Sequence, residues 1–280
     1  MLNELYNSLS PIAFSAGPIT IYWYGLAYIV GSILTGVVMY RTQRRWGFDI
    51  TIDDLVTIVV GVVFGLLIGA RLFYVVFYGD GYYFAHPLEI LAVNKGGMSF
   101  HGGLVGGALG GAIVCRWLKI SAWTIADLAV CGAPLALGLG RCANFVNGEL
   151  WGKPCGDFPL GVVFGGTAGD MPRHPSQLYE AFLEGVVLFC LLQALSRKKP
   201  LLPQGTFMGV FVMCYGIVRF LIEFVRVPDA QLGYLFGGVI TMGQLLSLPL
   251  VVIGLVLVIC AHKLNRPQRM YLEDAEEVHD

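Results

Sequence analysis

Seven apolar runs of roughly 20 residues, parted by short polar stretches, set the pattern of this chain: residues 18–40, 54–78, 98–117, 123–141, 175–196, 204–225 and 238–262. About 20 residues of α-helix cross a hydrocarbon core, so each run predicts one transmembrane helix. The expected fold is an all-α polytopic membrane protein with seven transmembrane helices. Composition agrees with the pattern. The chain is 56% hydrophobic and 13% charged over 280 residues, with a mean hydropathy of +0.70. A soluble domain carries about 25% charged residues.

Placement of the positive residues orients the spans. One set of connections and ends holds Arg41, Arg44, Arg45, Arg116, Lys119, Arg197, Lys198, Lys199, Lys263, Arg266 and Arg269. The other holds Lys95, Arg141, Lys153, Arg173 and Arg226, while Arg71 and Arg219 fall inside spans. The positive-inside rule makes the first set cytoplasmic, with the N-terminus outside and the C-terminus inside, as an odd number of spans requires. Residues 1–17 contain no Lys or Arg, so the basic region of a cleavable signal is missing. The net charge of −1 says nothing useful about nucleic acid, and no such partner is expected.

Residues 1–265 read as one seven-helix domain, and residues 266–280 as a disordered, acidic cytoplasmic tail. Pro11, Gly17 and Pro18 break any longer helix at the start, which leaves residues 1–17 along the outer surface. Two outer connections are long, about 79–97 and 142–174. The second is rich in Gly and Pro and predicts a small extracytoplasmic head, with turns and short strands around 162–164. The cysteines at 115, 131, 142, 155, 190, 214 and 260 have no metal-like spacing and read as small packing residues; a Cys142–Cys155 bridge is unforced. Gly61, Gly65 and Gly69 on the second span repeat every four residues, as do Gly102, Gly106 and Gly110 on the third. Such stripes let helix backbones approach closely in lipid, a better account than a phosphate-cradling loop.

Ionisable groups in so apolar a chain need a reason. Gly140-Arg141-Cys142-Ala143-Asn144-Phe145-Val146-Asn147-Gly148-Glu149 puts an arginine, two asparagines and a glutamate at the end of an apolar run. Arginine at a helix centre costs about 2.5–3.5 kcal/mol on the insertion scale. Tyr215, Arg219, Glu223 and Arg226 follow one face of the sixth span, either as an Arg219–Glu223 brace or as the wall of a cavity in which Glu223 orients Arg219. Gln177, Glu180 and Glu184 share a face of the fifth span and read as capping and inter-helix hydrogen bonding. His101 opens the third span beside paired glycines, as an interfacial histidine or a proton acceptor. Tyr24 reads as an aromatic anchor near the outer face, and Arg71 as structural or lipid-facing. Guanidinium groups match phosphate bidentately and stay charged in a dry site. These residues therefore predict an outward-opening cavity that grips a phospholipid head group. No metal or cofactor is called for.

The same residues resemble the bacterial prolipoprotein diacylglyceryl transferases. The resemblance rests on Gly140-Arg141-x-x-Asn144-Phe145-x-Asn147-x-Glu149-x-x-Gly152, on His101-Gly102-Gly103-Leu104 and on His174-Pro175-Ser176-Gln177-Leu178-Tyr179-Glu180. It extends to Tyr215-Gly216-x-x-Arg219, Glu223, Arg226-x-Pro228-Asp229 and Trp23-Tyr24-Gly25-Leu26, and so covers nearly the whole chain. The segment 158–174 looks shorter than in some members.

That resemblance implies transfer of the sn-1,2-diacylglyceryl group of phosphatidylglycerol to the lipobox cysteine of a preprolipoprotein. A thioether forms and glycerol phosphate leaves. It further implies a monomer in the bacterial inner membrane with its site facing outward. On that reading Arg141 and Arg219 bind the phosphate, Asn144 and Glu149 position the glycerol and hold Arg141, Tyr215 and Tyr24 line the cavity, and His101 either takes the thiol proton or acts as a hydrogen-bonding positioner. The partner supplies the nucleophile, so no reactive cysteine is required here. A transporter would show inverted repeats, and an intramembrane hydrolase a Ser–His pair, paired aspartates or H-E-x-x-H; the chain has none of these.

Overall fold

The computed structural model describes residues 2–17, 19–79, 81–92, 96–228, 234–235 and 240–272. Pro18, Lys95, Asp229, Gly238 and residues 273–280 of the expected tail lie outside the described residues. The apolar runs become helices: α1 (Leu2–Asn7), α2 (Trp23–Trp46), α3 (Ile52–Tyr78), α4 (Tyr82–Ala85), α5 (Phe100–Trp117), α6 (Ala122–Val130) and α7 (Ala133–Asn147). Then come α8 (Ser176–Leu195), α9 (Thr206–Ile222) and α10 (Met242–Leu264).

Among the described residues four helices, α2, α3, α8 and α10, are long and apolar enough to cross a membrane, and the bent pair α6–α7 is a fifth when its two helices are counted as one span. The protein is thus a mostly helical, multi-pass membrane protein. Helix α9 is apolar but shorter than 18 residues, and six glycines dilute the hydropathy of α5. Short strands also occur. Strands β1 (Ile12–Ala16) and β2 (Ile19–Tyr22) form an antiparallel hairpin where only a surface segment was expected, turned at Gly17 with φ +57°. Strands β3 (Tyr234–Leu235) and β4 (Ile240–Thr241) pair before α10.

By its contacts the chain divides into two units, Met1–Trp46 with Ala126–Gln268, and Gly47–Ile125 with Arg269–Asp280. In the second, the glycine stripes of α3 and α5 face each other. A Cβ on Gly65 would stand 3.0 Å from the Gly110 Cα and closer still to the Gly106 carbonyl oxygen. Small side chains therefore set the backbone spacing of this pair. Arg71, on α3, is buried and does not face lipid. Its guanidinium donates to the carbonyls of Glu89 at 2.6 Å, Ile90 at 2.8 Å, Gly96 at 2.7 Å and Gly97 at 2.9 Å, and lies over the Tyr83 ring. The planar fork spreads donors over carbonyls that a point charge could not reach together. Arg71→Met is expected to speed limited proteolysis within residues 82–92 several-fold, and Arg71→Lys to leave most of that defect.

The C-terminal segment departs from the expected disorder as far as Leu272. Residues 119–121 bond residues 270–272: Ser121 N donates to Met270 O and Leu272 N to Lys119 O, both at 2.8 Å. Met270 is buried, which gives this stretch an apolar reason to stay.

In the first unit the fourth apolar run is two helices. Gly132 and Pro134, a residue suited to the first turn, break it at residues 131–132, and the axis bends by 44°. Helix α7 then continues past Arg141 to Asn147, so the head starts later than the expected residue 142. Gly148 ends the helix at φ +66°. Asp127 on α6 caps α9 from outside: its carboxylate accepts from Gly205 N at 2.7 Å, Met208 N at 2.8 Å and Gln268 Nε2 at 2.7 Å. In the head, Val162 and Arg173 form an isolated bridge instead of strands, and Cys142 and Cys155 are both free thiols. Burial pushes the Cys155 thiol up from its ordinary range.

Candidate active site

Three helices of the first unit converge on one buried carboxylate. Arg141, Asn144 and Asn147 recur every three residues along α7 and so share a side of it. Helices α7 and α8 touch through glycine, where a Cβ on Gly185 would stand 2.8 Å from the Gly138 Cα. One turn past Gly138 comes Arg141, and beside Gly185 comes Glu184. The close backbones bring the guanidinium within reach of α8. Helix α8 is wound as a π-helix over Ala181–Val187, directly after Glu180. π-turns of this kind recur at functional sites because they re-aim side chains within a helix.

Glu180 and Glu184 have no solvent exposure. Arg141 pairs with both: Nη1 lies 3.0 Å from Glu180 Oε2, and Nε 3.1 Å from Glu184 Oε2. Arg219 reaches the other oxygen, Nη1 to Glu180 Oε1 at 2.8 Å, and pairs through Nη2 with Glu223 one turn on. Arg226 lies beyond the end of α9, not on its face as the helical spacing suggested. A backbone bridge to Gly152 turns it back, and its Nη1 stands 3.5 Å from Glu180 Oε1. Two guanidinium groups expected to act together thus share one carboxylate. Their side chains remain 16% and 15% exposed, so both can still be approached. Tyr215, one turn before Arg219, lies in the electrostatic field of Arg141, Arg219, Glu180 and Glu184.

Glu149 belongs to a separate, adjoining group. Its Oε1 accepts from Asn144 Nδ2 at 2.8 Å and Asn147 Nδ2 at 3.2 Å. It was expected to hold Arg141, but Glu180 and Glu184 do that; two asparagines from α7 claim its oxygen instead. Gln177 Nε2 donates to Glu149 O at 2.6 Å and Ser176 Oγ to Leu150 O at 2.9 Å, which pins the residues after α7 onto α8. From the other side Tyr6 packs edge-on against Phe145 at 5.3 Å and Phe164 at 4.9 Å, and burial raises its phenol above the usual range.

A cavity of about 770 Å³ adjoins this group, lined by residues of β2, by Tyr24, Gly25, Leu26 and Ile29 of α2, and by Asn147 and Glu149. It lies within the size range of ligand clefts. The Tyr24 hydroxyl is 3.0 Å from that of Tyr28, which in turn lies in the field of both Arg141 and Glu149. Tyr24 is thus a cavity wall and more than a surface anchor. His101 is in the second unit, exposed in the first turn of α5, where the Ser99 hydroxyl accepts from Gly102 N. The spacing of the carboxylates on α8 understated Glu180 and Glu184. Two glutamates four residues apart in an apolar span demand cationic partners, and that signal was available.

Two comparisons bear on the site. The family model for prolipoprotein diacylglyceryl transferase matches residues 11–260. A phosphatidylglycerol--prolipoprotein diacylglyceryl transferase from Geobacter sulfurreducens is 46% identical over 254 residues, 91% of this chain and 96% of that protein. Proteins of the same name from Beijerinckia indica subsp. indica and Bordetella avium are 48% and 46% identical, over 92% and 93% of this chain and 95% and 98% of theirs.

Proposed function

The chain belongs to the prolipoprotein diacylglyceryl transferase family, and from that premise we infer where and how it works. It is a transferase that moves the diacylglyceryl group of phosphatidylglycerol to prolipoprotein, the first step of lipoprotein maturation. The reaction takes place on the arginine–glutamate network of α7, α8 and α9. One observation carries this reading: Arg141 and Arg219 converge on Glu180, yet among the described residues Arg141 Nη2 and Arg219 Nε take no part in the ion pairs.

Three arginines and three glutamates make the network formally neutral, so net charge does not draw the lipid in. What draws it is directional. Guanidinium N–H groups held by buried carboxylates are aimed in advance at the phosphate, and they strengthen as charge grows on the departing oxygen. The sulfur of the lipobox cysteine forms its bond to the glyceryl carbon that bears the phosphate. That C–O bond breaks, and glycerol phosphate leaves with the electron pair. The thiol proton must go to a base, because a free thiol is mostly protonated at neutral pH; His101 has that role. Glu149 is acceptor-only when ionised, which suits it to the lipid's glycerol hydroxyls and excludes phosphate from its side. Asn144 supports it, Tyr24 and Tyr215 line the cavity, and Glu223 and Arg226 complete the binding wall.

The finer architecture follows the same inference. Helix α5 lies along α3 through matched glycines, and α9 along α10, where a Cβ on Gly209 would stand 2.9 Å from the Gly254 carbonyl oxygen. Adding α5 and α9 to the five longer spans makes seven. The excess of Lys and Arg in one set of connections supports an outside N-terminus, a cytoplasmic C-terminus and an outward-opening site in the bacterial inner membrane. The protein acts as a monomer, with residues 1–265 as its catalytic domain.

The direct test incubates the purified protein with phosphatidylglycerol and a lipobox peptide and looks by mass spectrometry for added diacylglycerol. A peptide with serine in place of cysteine should gain nothing. Arg219→Lys should lower the transfer rate by about 100-fold or more, because an ammonium cannot bridge phosphate and carboxylates in one plane. Full activity would remove the clamp. For His101→Gln, an unchanged rate and pH profile would exclude the base role.

A further inference from the structure

Glu223 is the C-cap of α9, where helical backbone is least restrained, yet it must hold Arg219 in place. What holds Glu223 is on the next helix. The Thr241 hydroxyl donates to Glu223 Oε2 at 2.5 Å. Thr241 Oγ1 in turn accepts from Gln244 N at 3.1 Å, and Gln244 Oε1 accepts from Thr241 N at 3.1 Å, a complete capping box at the start of α10. Thr241 is buried, and both hydrogen-bonding functions of its hydroxyl are engaged. Gly243 leaves the space that the carboxylate fills: a Cβ there would stand 2.5 Å from Glu223 Oε1 and 2.8 Å from Oε2.

We propose that Thr241 is a positioning residue for the transfer reaction. Its hydroxyl ties Glu223, and through it Arg219, to the fixed first turn of α10, and Gly243 is the gap that permits the contact. This rests on the role inferred above for Arg219. Because Arg219 would act most strongly on the charge that develops as phosphate leaves, loosening it lowers kcat more than it weakens lipid binding, which Arg141 still supports.

The test compares Thr241→Val, Thr241→Ser and Gly243→Ala in detergent or nanodiscs, each with its thermal unfolding measured beside kcat and KM for phosphatidylglycerol. Thr241→Val and Gly243→Ala should each lower kcat by about tenfold or more, with KM within about threefold. Thr241→Ser, which keeps the hydroxyl, should stay within about twofold of the parent. Gly243→Ala leaves the capping atoms in place, so it carries the test if Thr241→Val fails to fold. Parental kcat in folded Thr241→Val or Gly243→Ala overturns the proposal, as does a loss in Thr241→Val that serine does not restore. Arg219→Lys separates the two levels. If it is impaired while Thr241→Val is not, only the relay fails; if it retains full turnover, the role of Arg219 fails first.

Discussion

Glu180→Gln should lower thioether formation by about 100-fold or more and destabilise the protein together with it. The substitution keeps the shape of the side chain, so the effect isolates its charge. Three guanidinium groups, from Arg141, Arg219 and Arg226, lie against this one buried carboxylate. Glutamine would take one of the three carboxylates out of this network, an excess of positive charge in surroundings that solvate it poorly. Removing one partner of a buried ion pair costs about 3–5 kcal/mol. The amide would also turn N–H donors toward guanidinium donors. Arg141 and Arg219 would lose their common anchor, and misplacement by about 1 Å can cost about 100-fold in rate. Initial rates from mass spectrometry at saturating phosphatidylglycerol, beside thermal unfolding in detergent, check both parts. Parental activity in a stable Glu180→Gln protein would show that the arginines are aimed by something else.

The second large effect should come from a residue with no chemistry. Gly65→Val would force side-chain atoms into the Gly106 carbonyl and against Gly110, on the backbone of a neighbouring helix. Overpacking a core costs about 1–3 kcal/mol, and occasionally more; a helix backbone yields less readily than a side chain, so the upper end applies. The variant should reach the membrane in much lower yield and unfold at a markedly lower temperature. Gly36→Val is the matched control, because a Cβ at Gly36 meets nothing within 4 Å. Equal behaviour of the two variants would mean that α3 and α5 do not depend on their close approach.

Much of the candidate site could be read along the chain because charge is conspicuous in an apolar background. Arg141, Asn144 and Glu149 stand out at the end of a greasy run, and Arg219 and Glu223 one turn apart within another. Harder to read was which carboxylate serves which arginine. Glu149 is close to Arg141 in sequence, but two asparagines hold its oxygen and Arg141 turns to α8. Arg226 follows α9 at a helical interval, yet reaches Glu180 only because the chain leaves the helix and pairs with Gly152. Arg71 looked like an isolated charge in a span. Its partners are backbone carbonyls of a loop about 20 residues away, and backbone groups leave no mark in residue identity.

By itself, the sequence determined that this is a multi-pass helical membrane protein of the diacylglyceryl transferase family, with arginines set in and beside its apolar runs. Hydrophobic run length and rare intramembrane charge are local properties, and each can be read without knowing what packs beside it. The tertiary structure decided the rest: the bend at residues 131–132, the π-turn of α8, the sharing of Glu180 and the hold of Thr241 on Glu223. These depend on which helix backbones come close enough for side chains 18 to 46 residues apart to meet. Distance across a bundle is set by packing, and packing is a property of pairs of segments that no single segment carries.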